Sequence, residues 1–279
     1  MTDKPTYTMH HAISADGTAI GYRRLGNGPG LVLIHGAFVS GEDYEKLAAE
    51  LADVFTVYNV DRRGRLNSGP QGDRYCMERE CEDALAVLRA TGSKWLFGHS
   101  YGGLIALELA RTCPDALTKA AVYEPGVSTN GEFPTDWLPA YKNAMARGKS
   151  LSAFVYFLKG IGASPEISRM PGWLIKLMLT PSLMSRKGMR LRDKLPNLLH
   201  EMNEMLRLDS TVHRYAAITA ETLVLAGTKS PEFLLQGARA SAAVIPGASL
   251  MMMEGMGHNA PDLFNQREIS ERLKAFFLK

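Results

Sequence analysis

Short, continuous apolar stretches alternate with segments of helical spacing along most of this chain. The clearest are LVLIHG at 31–36, VFTVYNVD at 54–61 and TLVLAG at 222–227. Strands that are buried on both faces of a parallel sheet have this continuous apolar character. Two extended segments around Asp16-Gly17 predict an antiparallel hairpin at the start. The alternation predicts an α/β fold with a doubly wound, mostly parallel sheet of eight strands.

The alternation of strands and helices stops between residues 127 and 213. This stretch is rich in Met, Leu and aromatic residues and is interrupted by six prolines. Such a composition predicts several short helices rather than further strands. We therefore predict a core built from residues 1–126 and 214–279, with residues 127–213 inserted as a helical lid.

Composition excludes several classes of protein. The chain has 279 residues and a formal net charge of +3, which is too small to favour nucleic-acid binding. No apolar run approaches the ~18 residues that a membrane span needs. The three cysteines are too few for a disulfide framework, which predicts a reducing compartment, the cytoplasm. No metal or dinucleotide motif is present, so we expect neither a metal nor another cofactor. The sequence leaves a homodimer open.

The motif GHSYGG at 98–103 lies between a predicted strand and a predicted helix. In that setting G-x-S-x-G forms a nucleophile elbow, a tight turn that exposes its serine at the edge of the sheet. We predict Ser100 as the nucleophile and the backbone N–H of Tyr101 as one donor of an oxyanion hole. The second donor is expected from the loop after the first long apolar stretch, at Ala37 or Phe38.

A serine hydroxyl is a poor nucleophile at neutral pH and needs a neighbouring base. His258 follows the last predicted strand, in EGMGHNAP, and strand ends of this kind meet at one edge of the sheet. The other histidines lack this context. We expect His99, within the elbow, to point away from Ser100, and His35 to support the oxyanion loop. The predicted base is His258.

These motifs resemble the α/β-hydrolase superfamily across nearly the whole chain. The matching features are the stretch 31–36 with Ala37 and Phe38, the DRRG turn at 61–64, the elbow at 98–103, and Gly257 with His258. The resemblance implies an α/β-hydrolase fold, in which the DRRGR segment is a structural turn rather than a phosphate site. It also implies a catalytic acid in a G-x-x-D pattern after the strand that follows the lid. Here that stretch is GTKS, with Ser230 in the place of the aspartate.

A substitute acid is available one strand earlier. Glu124 ends the strand before the lid, at the same predicted edge, and some members of the superfamily resemble this arrangement. A glutamate has one more methylene than an aspartate, which suits a longer reach to His258. We predict Glu124 as the acid of the triad. Glu232 and a more remote carboxylate such as Asp209 stay open as alternatives, as does a purely structural role for Glu124.

A serine, a histidine and an acid together with an oxyanion hole predict a serine hydrolase that acts through an acyl-enzyme. We expect it to cleave an ester, lactone or thioester of a medium-sized, apolar small molecule. The candidate pocket residues, which could equally pack the lid on the sheet, are Phe38, Trp137, Phe154, Phe157, Trp173 and Met178. The same fold also supports a lyase, carbon–carbon bond hydrolysis, an acyltransferase or a ligand-binding protein with negligible turnover.

Overall fold

The computed structural model of the chain describes residues 7–162, 165–183 and 186–279. Its strands are β1 (Thr8–Ile13), β2 (Ala19–Leu25), β3 (Gly30–Ile34), β4 (Thr56–Val60), β5 (Trp95–His99), β6 (Lys119–Tyr123), β7 (Glu221–Gly227) and β8 (Ser249–Met253). They form one sheet in the order β1-β2-β4-β3-β5-β6-β7-β8. β2 pairs antiparallel with β1 and β4, and the other neighbouring pairs are parallel. The predicted sheet and its hairpin are confirmed.

The helices lie on both faces of this sheet and in the segment between β6 and β7. In chain order they are α1 (Glu45–Leu51), α2 (Met77–Thr91), α3 (Tyr101–Thr112), α4 (Leu138–Ala146), α5 (Ser150–Gly160), α6 (Pro165–Arg169), α7 (Gly172–Leu183), α8 (Arg186–Arg207), α9 (Glu232–Val244) and α10 (Gln266–Phe277). A π-helical turn, Ala260–Phe264, precedes α10. No helix in the described ranges is both long and apolar enough to cross a membrane.

The apolar stretch of β3 explains how one strand supports both layers of helices. Leu31 and Leu33 belong to the apolar cluster that includes residues of α1 and α10. Val32 and Ile34 belong to the cluster that includes residues of α2 and α3. Successive side chains of a strand point to opposite faces, so a strand covered on both sides must be apolar throughout. This is why the sequence has continuous rather than alternating apolar residues here.

In the part of the chain that the structure describes, five α-helices, α4 to α8, lie between β6 and β7. We refer to them as the lid helices, and the boundaries of the lid at 127 and 213 stay a proposal. The longest, α8, has buried residues at Leu195, Leu198, Met202 and Met205. Spacings of three and four residues put these side chains on one face of the helix. α8 therefore has one apolar stripe that packs inward.

Candidate active site

Ser100 lies on the tight turn between β5 and α3. Its backbone has φ 56° and ψ −119°, an unusual conformation for a residue with a side chain. Its N–H donates to the carbonyl of Tyr123 at 2.9 Å. A Cβ atom on Gly98 would lie 2.3 Å from the carbonyl oxygen of Gly102, and one on Gly102 would lie 2.2 Å from that of Ile34. The turn can therefore form only with glycines on both sides of the serine.

Glu124 follows β6 and meets His258, which comes from the loop after β8. The Oε2 atom of Glu124 lies 2.6 Å from Nδ1 of His258. Glu124 is fully buried and has a positive φ of 43°, so its backbone turns sharply as the strand ends. An Nδ1–H donated to this carboxylate leaves Nε2 of His258 unprotonated, the tautomer that a general base needs. The tautomer is inferred here from the hydrogen bond.

The end of β7 supplies donors to the same carboxylate. Oε1 of Glu124 accepts hydrogen bonds from the backbone N–H of Gly227 at 2.7 Å and from the hydroxyl of Ser230 at 2.5 Å. Ser230 is the position at which the resemblance implies an aspartate. The departure from the expected aspartate marks this position in the sequence. The serine that stands there contacts Glu124, the carboxylate that is bonded to His258.

The two alternative carboxylates have other partners. Glu232 is the first residue of α9, is mostly exposed, and pairs with Arg239 at 2.8 Å. Asp209 accepts a short hydrogen bond from the hydroxyl of Ser128 and two longer ones from the backbone N–H of Gly131. Glu124 is thus the carboxylate that the structure brings to Nδ1 of His258.

A cavity of about 690 Å³ opens beside the elbow. Ser100, His258, Ala37, Phe38 and Tyr101 all line it, so the predicted nucleophile, base and oxyanion loop share one cavity. The lining also includes many apolar residues, among them Phe133, Phe154, Phe157, Leu158, Ile161, Met202, Met205, Phe233 and Leu234. Concave and mainly apolar cavities with a few polar groups are typical of small-molecule sites.

Two of the predicted pocket residues from the lid lie against the oxyanion loop. The ring of Phe38 lies 4.9 Å from that of Phe154 and 5.3 Å from that of Phe157, measured between centroids. Both partners belong to α5 and line the cavity. Phe38 therefore lines the cavity and also contacts the lid helices.

The other three predicted pocket residues are not part of the cavity lining, which corrects their assignment. Trp137 packs behind the wall, with its ring 5.4 Å from that of Phe157, and donates from Nε1 to the carbonyl of Pro134 at 2.7 Å. Trp173 and Met178 lie on α7 and are 68% and 62% exposed. They miss the cavity because α7 turns this face to solvent.

His99 and Tyr44 form a buried polar pair beneath the site. Nδ1 of His99 is hydrogen-bonded to the hydroxyl of Tyr44, which also accepts the N–H of Gly36 at 3.4 Å. The His99 ring lies 4.7 Å from the His258 ring and lines the same cavity, closer to the site than expected. Burial, with a smaller effect of His258, lowers the pKa of His99 well below its usual range. His99 is therefore neutral at neutral pH.

A further carboxyl group, Asp262, lines the cavity from the π-helical turn after His258. It is largely buried and accepts a hydrogen bond from Nδ2 of Asn259 at 3.3 Å. Burial raises the pKa of Asp262 to about 6, and the nearby His258 opposes that shift. Sequence reasoning missed Asp262 and Tyr44, because neither lies in a motif and their contacts depend on how separate loops meet.

The chain is similar in sequence and architecture to known proteins. An alpha/beta hydrolase from Sphaerobacter thermophilus DSM 20745 has a solved structure that is 30% identical, with a TM-score of 0.79 over 96% of this chain and 100% of that one. A pimeloyl-[acyl-carrier protein] methyl ester esterase of Xanthomonas axonopodis pv. citri (strain 306) is 28% identical over 264 residues, 90% of this chain and 96% of that protein. An uncharacterized hydrolase, YraK, of Bacillus subtilis (strain 168) is 32% identical over 117 residues, 40% of this chain and only 43% of that protein.

Together the sheet order, the elbow and these similarities define an enzyme of the hydrolase class. The family model described as the alpha/beta hydrolase family matches residues 31–271. The chain belongs to the alpha/beta hydrolase family.

Proposed function

We propose that this enzyme hydrolyses an ester-type bond through an acyl-enzyme, with Ser100 as nucleophile, His258 as base and Glu124 as acid. The observation that carries the proposal is the 2.6 Å contact between Glu124 Oε2 and His258 Nδ1, beside the cavity that Ser100 and His258 share. Membership of the family supports hydrolysis, and the esterase among the relatives supports an ester.

The first half of the reaction forms the acyl-enzyme. Nε2 of His258 takes the proton of the Ser100 hydroxyl while Oγ attacks the carbonyl carbon of the substrate, and Glu124 stabilises the imidazolium that results. The backbone N–H groups of Tyr101 and of Ala37 or Phe38 stabilise the oxyanion. When the tetrahedral intermediate collapses, the bond to the leaving group breaks and His258 gives its proton to that group.

The second half releases the acid and restores the enzyme. His258 takes a proton from a water molecule, whose oxygen attacks the acyl carbon. The oxyanion forms again in the same hole, and the bond from the acyl carbon to Oγ of Ser100 then breaks as the serine recovers its proton. The free carboxylic acid leaves through the cavity.

The lining of the cavity indicates the class of substrate. Aromatic and methionine side chains from α5, α8 and α9 surround Ser100, and a volume of about 690 Å³ suits a medium-sized molecule. Methionines adapt to apolar groups of irregular shape. We therefore propose an ester, lactone or thioester whose acyl or alcohol group is largely apolar.

A panel of p-nitrophenyl esters with acyl chains of two to twelve carbons, each measured with the wild type and with Ser100→Ala, tests the proposal. We expect turnover that is highest for chains of intermediate length and lost in Ser100→Ala. A fluorophosphonate should add to Ser100, as detected by mass spectrometry of the labelled peptide. Saturable binding of the esters with no turnover, or turnover that persists in Ser100→Ala, would contradict the proposal.

A further inference from the structure

The DRRGR turn after β4 contains three buried arginines with different partners. Arg63 donates to both carboxylate oxygens of Asp83, at 2.6 and 2.7 Å, within the sheet-and-helix core. Arg62 and Arg65 instead meet a carboxylate from the lid helices, Glu201. Buried charges are costly unless they are paired, so these contacts constrain how the lid helices lie on the core.

Glu201 connects α8 to this turn. It is fully buried, and its Oε1 accepts from Nη2 of Arg62 at 2.9 Å and from Nη2 of Arg65 at 2.7 Å. Two other α8 residues on the same face continue the contact: Asn197 donates to the carbonyl of Gly64 at 2.9 Å, and Glu204 accepts the N–H of Met77 at 2.9 Å. The spacing of three and four residues means that one stripe of α8 docks on the core.

Each of the same two arginines also donates a hydrogen bond to the oxyanion loop. Nη1 of Arg62 donates to the carbonyl of Gly36 at 3.1 Å. Nε of Arg65 donates to the carbonyl of Val39 at 3.1 Å. Gly36 and Val39 are the residues on either side of Ala37 and Phe38, the candidate oxyanion donors. One lid carboxylate therefore holds two cations that fix both ends of the donor segment.

Arg62 also contacts the other side of the oxyanion hole. Its guanidinium carbon lies 4.6 Å from the ring centroid of Tyr101, whose backbone N–H is the other predicted donor of the oxyanion hole. Burial opposes the charge of Arg62, but Glu80 and Glu201 outweigh it and raise the pKa of Arg62. The guanidinium is thus a permanent cation between the two donor segments.

The donor segment needs such support because its backbone is strained. Phe38 has a positive φ of 66°, which is costly for a residue with a bulky side chain. The loop keeps this conformation through the arginines on its carbonyls and through the rings of Phe154 and Phe157 on its side chain.

We propose that Arg62 and Arg65, held by Glu201, are positioning residues. Through them, the position of α8 on the core determines the geometry of the oxyanion hole. This inference rests on the proposed function. The lid then contributes to the rate of the chemical step as well as to substrate binding. Stabilisation of the oxyanion depends on donors that are fixed before the reaction, so a displaced loop lowers kcat.

Glu201→Gln tests the proposal in the full-length enzyme. The measurements are kcat and KM for the best p-nitrophenyl ester, together with the inhibition constant of an alkyl trifluoromethyl ketone, whose adduct with the serine carries an oxyanion. We expect kcat and the affinity for the ketone to fall together by about tenfold, less than the loss on deleting an oxyanion donor. KM should stay within about twofold of its wild-type value, because substrate ground-state binding does not use the hole.

Asp83→Asn provides a matched control, because it weakens the buried ion pair between Asp83 and Arg63 of the same turn. Among the contacts described, this pair has no hydrogen bond to the oxyanion loop. The substitution should lower the thermal unfolding temperature while leaving kcat and ketone affinity within about twofold of wild type.

If Glu201→Gln does not fold, the charge-balanced variant Arg65→Gln/Glu201→Gln takes its place. It keeps Arg62 paired with Glu80, which accepts from its Nε at 3.0 Å and from its Nη2 at 2.5 Å.

Parallel losses of kcat and ketone affinity in the Glu201 variants, but not in Asp83→Asn, support the proposal. A folded Glu201 variant with unchanged kcat and ketone affinity overturns it, and so do equal losses in the Asp83 control. In both cases the wild type still turns over esters in a Ser100-dependent way, so the proposed function stands. A wild type without such turnover removes the proposed function and this inference with it.

Discussion

β6 and β7 are neighbouring strands that end at the same edge of the sheet, but their ends carry different groups. The end of β6 carries a buried carboxylate, Glu124, bonded to His258. The end of β7 carries only donors to that carboxylate, the N–H of Gly227 and the hydroxyl of Ser230. In this structure, the carboxylate that contacts the imidazole comes from the end of β6, and the end of β7 supplies hydrogen-bond donors that satisfy this carboxylate.

The largest effect is expected from the β6 end. Glu124→Gln keeps the size of the side chain but removes its charge, so the imidazolium loses its counter-charge and the tautomer of His258 is no longer fixed. We expect kcat to fall by roughly 10²–10⁴ with the fold intact, as on loss of the acid from a serine triad. Steady-state kinetics measure kcat, and circular dichroism shows whether the fold is intact.

Glu232→Gln is the control for that substitution, because Glu232 is an exposed carboxylate that pairs with Arg239. It should leave kcat within about twofold of wild type, as expected for a surface pair. A crippled Glu232→Gln beside a near-normal Glu124→Gln would reverse our assignment of the acid.

The comparison extends to the turn after β8, which carries Asp262. Burial is the main cause that raises its pKa to about 6 in the folded protein, from the ordinary value of 3.8. The folded state therefore holds the proton more tightly than the unfolded state, and the stability that this gives at low pH is lost as the pH rises through about 6. His258 and Asn259 face this carboxyl group and favour its charged form, while Asp43 disfavours it.

Asp262→Asn, which cannot ionise, should therefore become more stable relative to wild type as the pH rises from 4 to 8. A shift of two pKa units corresponds to about 2–3 kcal/mol in the free energy of unfolding. Urea unfolding of both proteins at several pH values measures the difference. A difference that does not change with pH would show that folding does not raise the pKa of Asp262.

A double variant that moves the carboxylate from the end of β6 to the end of β7 tests whether either strand end can supply the acid that contacts His258. In Glu124→Gln/Ser230→Asp the new carboxylate stands where Ser230 now contacts Glu124. We expect kcat to recover by about tenfold over Glu124→Gln alone, because part of the counter-charge returns near His258. The double variant is compared with Glu124→Gln in the same assay, and the absence of any recovery would mean that only the β6 end can serve His258.

The smallest effect is expected when the β7 end loses one donor. Ser230→Ala removes a hydrogen bond to a charged acceptor and lets Glu124 move, which should reduce kcat/KM by about three- to tenfold. Thr228→Ala is a matched control, since its hydroxyl contacts Glu254 at the exposed surface instead. Equal effects of the two substitutions would indicate that Ser230 acts only on the packing of the loop.

The positions of the groups at the sheet edge could be predicted from the sequence, because the end of a strand is a local feature of the sequence. The apolar stretches located the strands, and parallel strands bring their ends together, so the sequence predicts Ser100, Glu124 and His258 at one edge of the sheet. The eight-stranded sheet followed from the same pattern. For Ser230, the departure from the expected motif marked the position, but the contact itself needed the structure.

The packing of the lid helices could be predicted less well from such local patterns. The sequence of α7, GWLIKLMLTPSL, is apolar on almost every side, so no periodicity indicates which face turns inward, and Trp173 and Met178 were assigned to the wrong side. Glu201 lies 139 residues from Arg62 and has no local motif. Pairing of buried charges over such distances depends on how helices dock, which short-range patterns do not encode.

The contact of Glu201 with two arginines has a consequence for the exchange of lids between relatives. Among the ion pairs described, a lid transplanted from a protein without a carboxylate at this position would leave Arg62 paired with Glu80 alone and Arg65 buried without its partner. Removing one partner of a buried ion pair costs about 3–5 kcal/mol, a large share of the stability of a typical domain. A chimera of this enzyme therefore has to carry the lid helices and the DRRGR turn together.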